Sequence, residues 1–248
     1  MEKKQEQILL KTTSIIEIYD SNNRKIGSAT CFFIKNENDD IFLVSNRHVL
    51  KPATSMKLCI SHLDSCSNET HKKYIVQKTK DIFYSDDYDL GIMKFTEIYN
   101  QLQMKDSSLL VTCIPYAGIE NDFAKYNRIE EVLTVGYPKT LINKSVNLPI
   151  VRNGITSSGL CDKLNNKEEF FINIPTVGGS SGSPVFHISD DKKVKLIGIV
   201  DSYHVEKVKI YQNRNRLYHK KCIDIINIPT GIGYVIKTTI LLELLNQV

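Results

Sequence analysis

The residues best suited to chemistry lie in one glycine- and serine-rich stretch, residues 178–184, which reads GGSSGSP. Apolar runs on both sides of it predict a tight loop between two strands. Glycine permits backbone angles that a side chain would forbid, so this loop can present a hydroxyl and aim neighbouring N–H groups at one point. A nucleophile with an oxyanion hole needs both features. An ordinary Gly/Ser hairpin loop has the same composition, and the loop by itself favours that simpler interpretation.

A serine hydroxyl needs a base, usually histidine, and a carboxylate that orients this base. His48 follows a short apolar run, and Asp89 stands at the entrance of another. Asp89 lies 41 residues after His48, and Ser181 lies 92 residues after Asp89. Each residue alone could be a surface or capping residue. Together, in the order His, Asp, Ser, they indicate nucleophilic catalysis, with Ser180, Ser181 and Ser183 all open as the nucleophile.

The elements that must position these residues are mostly strands, because apolar and polar residues alternate with a period near two. About a dozen short strands in two groups predict paired β-barrels or a sandwich. One short helix is predicted near 96–104. The basic segment 204–230 is interpreted as a solvated surface loop. The predicted strands are 12–20, 26–35, 41–45, 55–62, 73–78, 89–95, 131–138, 149–157, 168–174, 183–188, 194–201 and 231–236.

Composition bounds the function further. The chain has 248 residues and a formal net charge of +4, which does not argue for a nucleic-acid partner. No apolar run has the length of a membrane span, and the polar N-terminus is unlike a secretory signal. These features predict a cytoplasmic protein that binds neither nucleic acid nor membrane.

Six cysteines are present, but no CxxC pair, so no zinc or other metal site is predicted. None of the cysteines lies in a glycine-rich loop, which argues against a cysteine nucleophile. In a reducing compartment all six are expected to be free thiols.

Three motifs resemble those of the trypsin-like, chymotrypsin-fold serine peptidases, in their bacterial-type branch. LVSNRHV at 43–49 is similar to the histidine motif, YDLG at 88–91 to the aspartate motif, and GSSGSP at 179–184 to the Gly-x-Ser-Gly-x-Pro serine motif. The resemblance covers roughly residues 12–237. It implies an all-β single domain of two antiparallel six-stranded β-barrels with the active site between them. The implied boundaries are barrel 1 at about 12–115, a connection at about 116–130, barrel 2 at about 131–237 and a C-terminal helix at about 238–247.

The resemblance also assigns roles. Only Ser181 has glycine two residues before it, glycine next and proline three residues after, so it matches the nucleophile. His48 and Asp89 from the first barrel match the base and its orienting acid. The N–H groups of Gly179 and Ser181 match the oxyanion hole. Neither a metal nor an organic cofactor is implied.

The residues implied for the substrate pocket differ from those of well-known family members. Pro175 stands where trypsin carries an acidic residue, and Val200 stands where glutamyl endopeptidases carry histidine. The remaining implied pocket residues are Thr176, Asp201, Ser202 and Tyr203. Because the base of this pocket lacks an acidic residue, we expect a preference for uncharged, small to medium apolar side chains before the scissile bond.

Asp201 stands where many members have a serine or threonine that supports the catalytic aspartate. Three alternatives are open. A protonated Asp201 could donate a hydrogen bond to Asp89, and an ionised Asp201 would raise the pKa of His48. Alternatively, it turns away to solvent or to a cation such as Lys207 or Lys209, because strand register decides where the side chain points.

These features together predict a serine endopeptidase that forms an acyl-enzyme and takes a protein or peptide substrate. Two other functions are open: a catalytically silent protein-binding module on the same fold, and an effector protease that a protein partner activates.

Overall fold

The computed structural model describes residues 9–63, 69–138, 148–189, 191, 193–213 and 220–248. At residues 63 and 69, and within residues 211–213 and 220–223, it describes the backbone alone.

The N-terminal half forms one antiparallel sheet of eight strands in the order β5-β4-β1-β2-β3-β7-β6, with β8 paired to β4. Strand β3 is buried along its whole length, as its uninterrupted apolar run predicts. The strands are β1 Thr13–Tyr19, β2 Lys25–Lys35, β3 Ile41–Ser45, β4 Ser55–Leu63, β5 Glu69–Gln77, β6 Ile82–Tyr84, β7 Gly91–Lys94 and β8 Leu109–Leu110.

The C-terminal half forms a closed six-stranded barrel in the order β10-β11-β14-β13-β12-β9. Its strands are β9 Glu131–Gly136, β10 Ile150–Thr156, β11 Glu169–Asn173, β12 Pro184–Ile188, β13 Val194–Asn213 and β14 Lys220–Lys237. The predicted all-β class and the six-stranded second barrel are therefore confirmed. The first half differs from the prediction: its described strands number eight rather than six, and no pairing between them closes the sheet into a barrel.

Helices are few and short. Those with described bounds are α1 Arg47–Leu50, α2 Thr96–Lys105 and α3 Thr238–Leu245, with a 3-10 turn at Tyr116–Gly118, and residues 9–11 are also helical. Helix α3 buries Ile240, Leu241, Leu244 and Leu245, which recur at helical spacing on one face. No described helix is both long and apolar enough to cross a membrane.

The two halves share a hydrophobic core. Phe32 and Ile34 of β2 belong to the same buried cluster as Phe186 of β12 and Ile240 of α3. Burial of apolar surface stabilises this contact between the halves by about 25 cal/mol per Å². The loops that carry the predicted site residues therefore meet across a packed boundary.

The interpretation of 204–230 as a surface loop is wrong. Strands β13 and β14 continue beyond the barrel as a two-stranded ribbon, whose pairs run from Val205–Pro229 to Asn213–Lys220. The tip, 214–219, lies outside the described residues. β-Branched residues recur among the polar ones in both strands, as in the paired Val208 and Ile226, and their propensity favours a strand despite the high charge.

Candidate active site

His48 lies in α1, directly after β3 ends. Its ring nitrogen Nδ1 is hydrogen-bonded to Oδ2 of Asp89. Its backbone N–H donates to Oδ1 of the same carboxylate over 2.8 Å. Asp89 therefore holds both the imidazole ring and the main chain of His48, which fixes the ring orientation and leaves Nε2 for other contacts.

The loop that carries Asp89 is itself held by the residues next to His48. The side-chain amide of Asn46 donates to the Asp89 carbonyl over 2.8 Å. Arg47 Nη1 donates to the carbonyls of Ser85 and Asp86 over 2.8 and 3.0 Å. One short segment thus supplies the base and also anchors the acid that orients it.

The serine loop is held by backbone contacts to the first sheet. Thr30 of β2 donates through its N–H to the Ser181 carbonyl over 3.0 Å and through Oγ1 to the Gly179 carbonyl over 2.9 Å. Gly182 has a φ of +79°, and a Cβ there would lie 2.2 Å from the Thr30 carbonyl oxygen and 2.5 Å from Ser45 Oγ. Only glycine fits. Ser45 lies three residues before His48, so the loop of Ser181 adjoins the histidine turn.

The three serines of this loop differ in exposure. Ser180 and Ser183 are fully buried, whereas Ser181 is half-buried. Ser180 Oγ accepts a hydrogen bond from Arg152 Nη2 over 2.9 Å. Among the three hydroxyls, that of Ser181 is therefore the most accessible to a substrate.

The N–H groups of the loop fall into two sets. Those of Ser180, Gly182 and Ser183 donate to the carbonyls of Val177, Val200 and Ser180 over 2.9–3.0 Å. Those of Gly178, Gly179 and Ser181 donate to no acceptor in the described part of the chain. Gly179 has a φ of +97°, which glycine adopts at little cost.

Ser181 and His48 are not hydrogen-bonded to each other within the described residues. The structure brings His48 and Asp89 together and sets the Ser181 loop against the turn that carries His48. In free enzymes, catalytic hydrogen bonds are often long and shorten only when substrate binds.

The carboxyl groups of Asp89 and Asp201 interact. Burial and then the nearby charge of Asp89 raise the pKa of Asp201, despite a 2.9 Å hydrogen bond from Ser202 Oγ. Burial also acts to raise the pKa of Asp89, but hydrogen bonds from His48 lower it overall. Asp201 is therefore the first of the two to take a proton as the pH falls. Of the three alternatives for this residue, the structure favours those in which it faces Asp89.

The imidazole of His48 responds to both acids. Its hydrogen bond to Asp89 raises its pKa above the usual 6.5, and the charges of Asp89 and Asp201 add to this effect. Its side chain is 53% exposed, so solvent screens these charges.

The other predicted pocket residues occupy varied positions. Thr176 and Val200 are each only 1% exposed, and Val200 packs in the barrel core with residues such as Phe170. Pro175, Ser202 and Tyr203 are exposed. Sequence reasoning missed Arg152 of β10, which contacts this region. The only sequence signal for Arg152 was its inward-facing position in a predicted strand. Its partner Ser180 lies 28 residues away, and alternation along a strand cannot predict such a contact.

The described residues contain no group of three or more His, Cys, Asp or Glu side chains that could hold a metal ion.

The chain belongs to the trypsin-like peptidase family, because the model of the trypsin-like peptidase domain matches residues 29–199, more than half of its length. No curated protein sequence matches it.

Solved structures with a similar fold include HtrA-type serine proteases. A serine endoprotease from Yersinia pestis aligns with a TM-score of 0.55 and 14% identity over 100% of this chain and 67% of its own. The HtrA-type protease AlgW, solved with a tripeptide, gives 0.55 and 15% over 96% of this chain and 60% of its own. The Rv3671c protease from M. tuberculosis, in its active form, gives 0.55 and 13% over 97% and 82%. At these identities the likeness shows the fold alone.

Proposed function

We propose that the protein is a serine endopeptidase in which Ser181 is the nucleophile, His48 the general base and Asp89 the residue that orients His48. The observation that carries the proposal is the pair of hydrogen bonds between Asp89 and His48. They lie next to the Ser181 loop, whose close packing on the first sheet requires glycine at position 182. Membership of the trypsin-like peptidase family supports the reaction class.

In the proposed reaction, His48 Nε2 takes the hydroxyl proton as Ser181 Oγ attacks the peptide carbonyl. Asp89 keeps the Nδ1 proton in place and stabilises the imidazolium that forms. His48 then gives its proton to the leaving amine, and water hydrolyses the acyl-enzyme by the same steps in reverse order.

The oxyanion of the tetrahedral intermediate is assigned to the N–H groups of Gly179 and Ser181. They have no acceptor in the described residues, whereas the N–H groups of Ser180, Gly182 and Ser183 are paired. The N–H of Gly178 also lacks an acceptor there, and the resemblance to the family assigns the hole to Gly179 and Ser181. One donor of this kind is worth about 2.7–4 kcal/mol of barrier.

Active-site labelling tests the proposal. A fluorophosphonate probe should label the wild-type protein and the Ser180→Ala and Ser183→Ala variants, but not the Ser181→Ala variant, which should also lose peptide hydrolysis. The two control variants matter because both remove a hydroxyl from the same loop. Labelling that survives in Ser181→Ala and disappears in Ser180→Ala would refute the assignment.

A partner-activated form of this peptidase is the second candidate. Ser181 and His48 form no hydrogen bond in the described residues, and either substrate or a partner could bring the two together. In that case labelling of the isolated chain is slow, and a protein partner accelerates it. A silent binding module would never be labelled, whatever partner is added.

We further propose that the protein works in the reducing environment of the cytoplasm. In the described part of the chain Cys31, Cys113 and Cys161 are free thiols, and burial raises the pKa of Cys113 to about 12. Cys66 and the side chain of Cys222 lie outside the described residues. A thiol titration of the denatured, unreduced protein should count all six cysteines, and a count of two or fewer would contradict the proposal.

A further inference from the structure

Arg152 reaches the segment that leads to the proposed nucleophile. It lies in β10 opposite Thr134, which is fully buried, and its neighbours Val151 and Asn153 are exposed. Because side chains alternate along a strand, Arg152 points to the inner side of the barrel.

Its guanidinium group bridges the two ends of residues 175–180. Nη1 donates to the Pro175 carbonyl, and Nη2 donates to Ser180 Oγ over 2.9 Å. Ser180 directly precedes Ser181, and the family resemblance assigns Pro175 and Thr176 to the substrate pocket. The cation therefore lies beside the segment that the side chain before the scissile bond should contact.

The charge of Arg152 is uncompensated. No carboxylate lies within 4.0 Å of it in the described chain, whereas Arg128 of the same half pairs with Asp162 at 3.5 Å. Its Nε is buried without a partner, as is Oγ1 of Thr176. Burial alone lowers the pKa of Arg152, and the group nevertheless stays charged because arginine does not deprotonate in proteins.

A partly buried cation without a counter-ion is costly, and a carboxylate can compensate it with charge-assisted hydrogen bonds. We infer that Arg152 binds the carboxylate of a glutamate or aspartate side chain immediately before the scissile bond. This inference rests on the proposed peptidase function and specifies its substrate class. It replaces the expectation of an apolar preference, which considered only the missing acidic residue and not a cation from β10.

Arg152 could alternatively act only as a positioning residue that holds 175–180 in place. The two roles predict different results. A positioning residue affects all substrates equally, whereas a recognition residue changes the ratio between glutamate and its neutral isostere glutamine.

Product-like peptides separate these roles without requiring catalysis. We would measure Kd for N-acetyl tetrapeptides that are randomised at the first three positions and end in Glu, Gln or Leu, using the full chain with Ser181→Ala. The Glu set should bind at least about tenfold more tightly than the Gln set, a ratio that corresponds to about 1.4 kcal/mol. Arg152→Gln in this background should bring the ratio to within twofold, and Arg152→Lys should retain part of it.

Arg128→Gln is the matched control, because it removes the same charge from the same half at an exposed ion pair, and it should leave the ratio unchanged. If Arg152→Gln does not fold, the pH dependence replaces it. The preference of the unaltered Arg152 protein for Glu should then fade near pH 4, as the peptide carboxyl protonates.

Equal binding of the Glu and Gln sets, or tightest binding of the Leu set, would overturn the inference. Fluorophosphonate labelling of the protein with Ser181 intact tests the proposed function separately. A Glu preference in binding without any labelling would reject the peptidase proposal and keep the Arg152 assignment, and labelling with cleavage after apolar residues would do the reverse.

Discussion

The two sides of the candidate site are built in different ways. On the histidine side, polar side chains position one another: Asp89 holds His48, and Asn46 and Arg47 hold the loop of Asp89. On the serine side, backbone conformation dominates, with two glycines at positive φ and carbonyls bonded to Thr30. The first arrangement depends on charge and hydrogen bonding, and the second depends on close steric fit of the backbone.

This difference teaches where each side is vulnerable. Changes of charge should damage the histidine side and leave the fold intact, since its groups are partly exposed. Changes of volume should damage the serine side and the fold together, because its loop packs directly on the first sheet. The predictions below test this distinction.

The largest effect is expected from Asp89→Asn. The ring and the backbone N–H of His48 use different oxygens of Asp89, and the substitution turns one of these oxygens into an NH₂ group that cannot accept. We expect kcat to fall about 10⁴-fold, with little change in the unfolding midpoint. Steady-state kinetics and chemical denaturation check this, and Asp87→Asn, an exposed change in the same loop, should be nearly neutral. A clear drop in the unfolding midpoint together with a nearly unchanged kcat would contradict the proposed distinction.

Gly182→Ala should have the largest effect on the serine side. Its Cβ would lie 2.2 Å from a backbone oxygen at a φ of +79°, so steric clash and backbone strain add together. We expect the free energy of unfolding to fall by about 3 kcal/mol or more, with loss of labelling at Ser181.

Gly231→Ala is the matched control for this change. Gly231 has a similar φ of +87°, but a Cβ there would lie 4.0 Å from its nearest neighbour, Asn173 Oδ1. Only the backbone cost of about 1–2 kcal/mol remains, and labelling should persist. Equal destabilisation by the two substitutions would mean that packing against Thr30 and Ser45 does not hold the serine loop.

Local alternation predicted most of the strands that carry the site, although it missed β6 and β8. The family motif, aligned by Pro184, selects Ser181 over Ser180 and Ser183, and that selection stays a prediction. The family resemblance linked His48 and Asp89, which local patterns could not have paired with comparable specificity.

What the sequence did not predict depends on distant contacts. The guanidinium of Arg152 meets Ser180 only because β10 and β11 close the barrel. The ribbon beyond the barrel was missed because its many basic residues suggested a solvated loop. Its β-branched residues, such as the paired Val208 and Ile226, nevertheless have strand propensity. The direction of Asp201 depended on strand register, which the sequence alone leaves open.

The smallest effect is expected from Asp201→Asn, which tests how far charge extends on the histidine side. The acidic limb of kcat/KM reports the protonation of His48 in the free enzyme. Because Asp89 and Asp201 raise the pKa of His48, the limb of the wild type should lie above pH 6.5. Removing the Asp201 charge should lower this pKa, so the limb moves to lower pH by less than one unit, or less than about 1.36 kcal/mol. Glu169→Gln is the control. It removes another carboxylate near Asp201, but Glu169 does not act on the pKa of His48, so the limb should stay in place. A limb that stays within about 0.3 units in Asp201→Asn would mean that His48 senses no charge on Asp201, either because Asp201 is already protonated or because charge on this side acts only through direct hydrogen bonds.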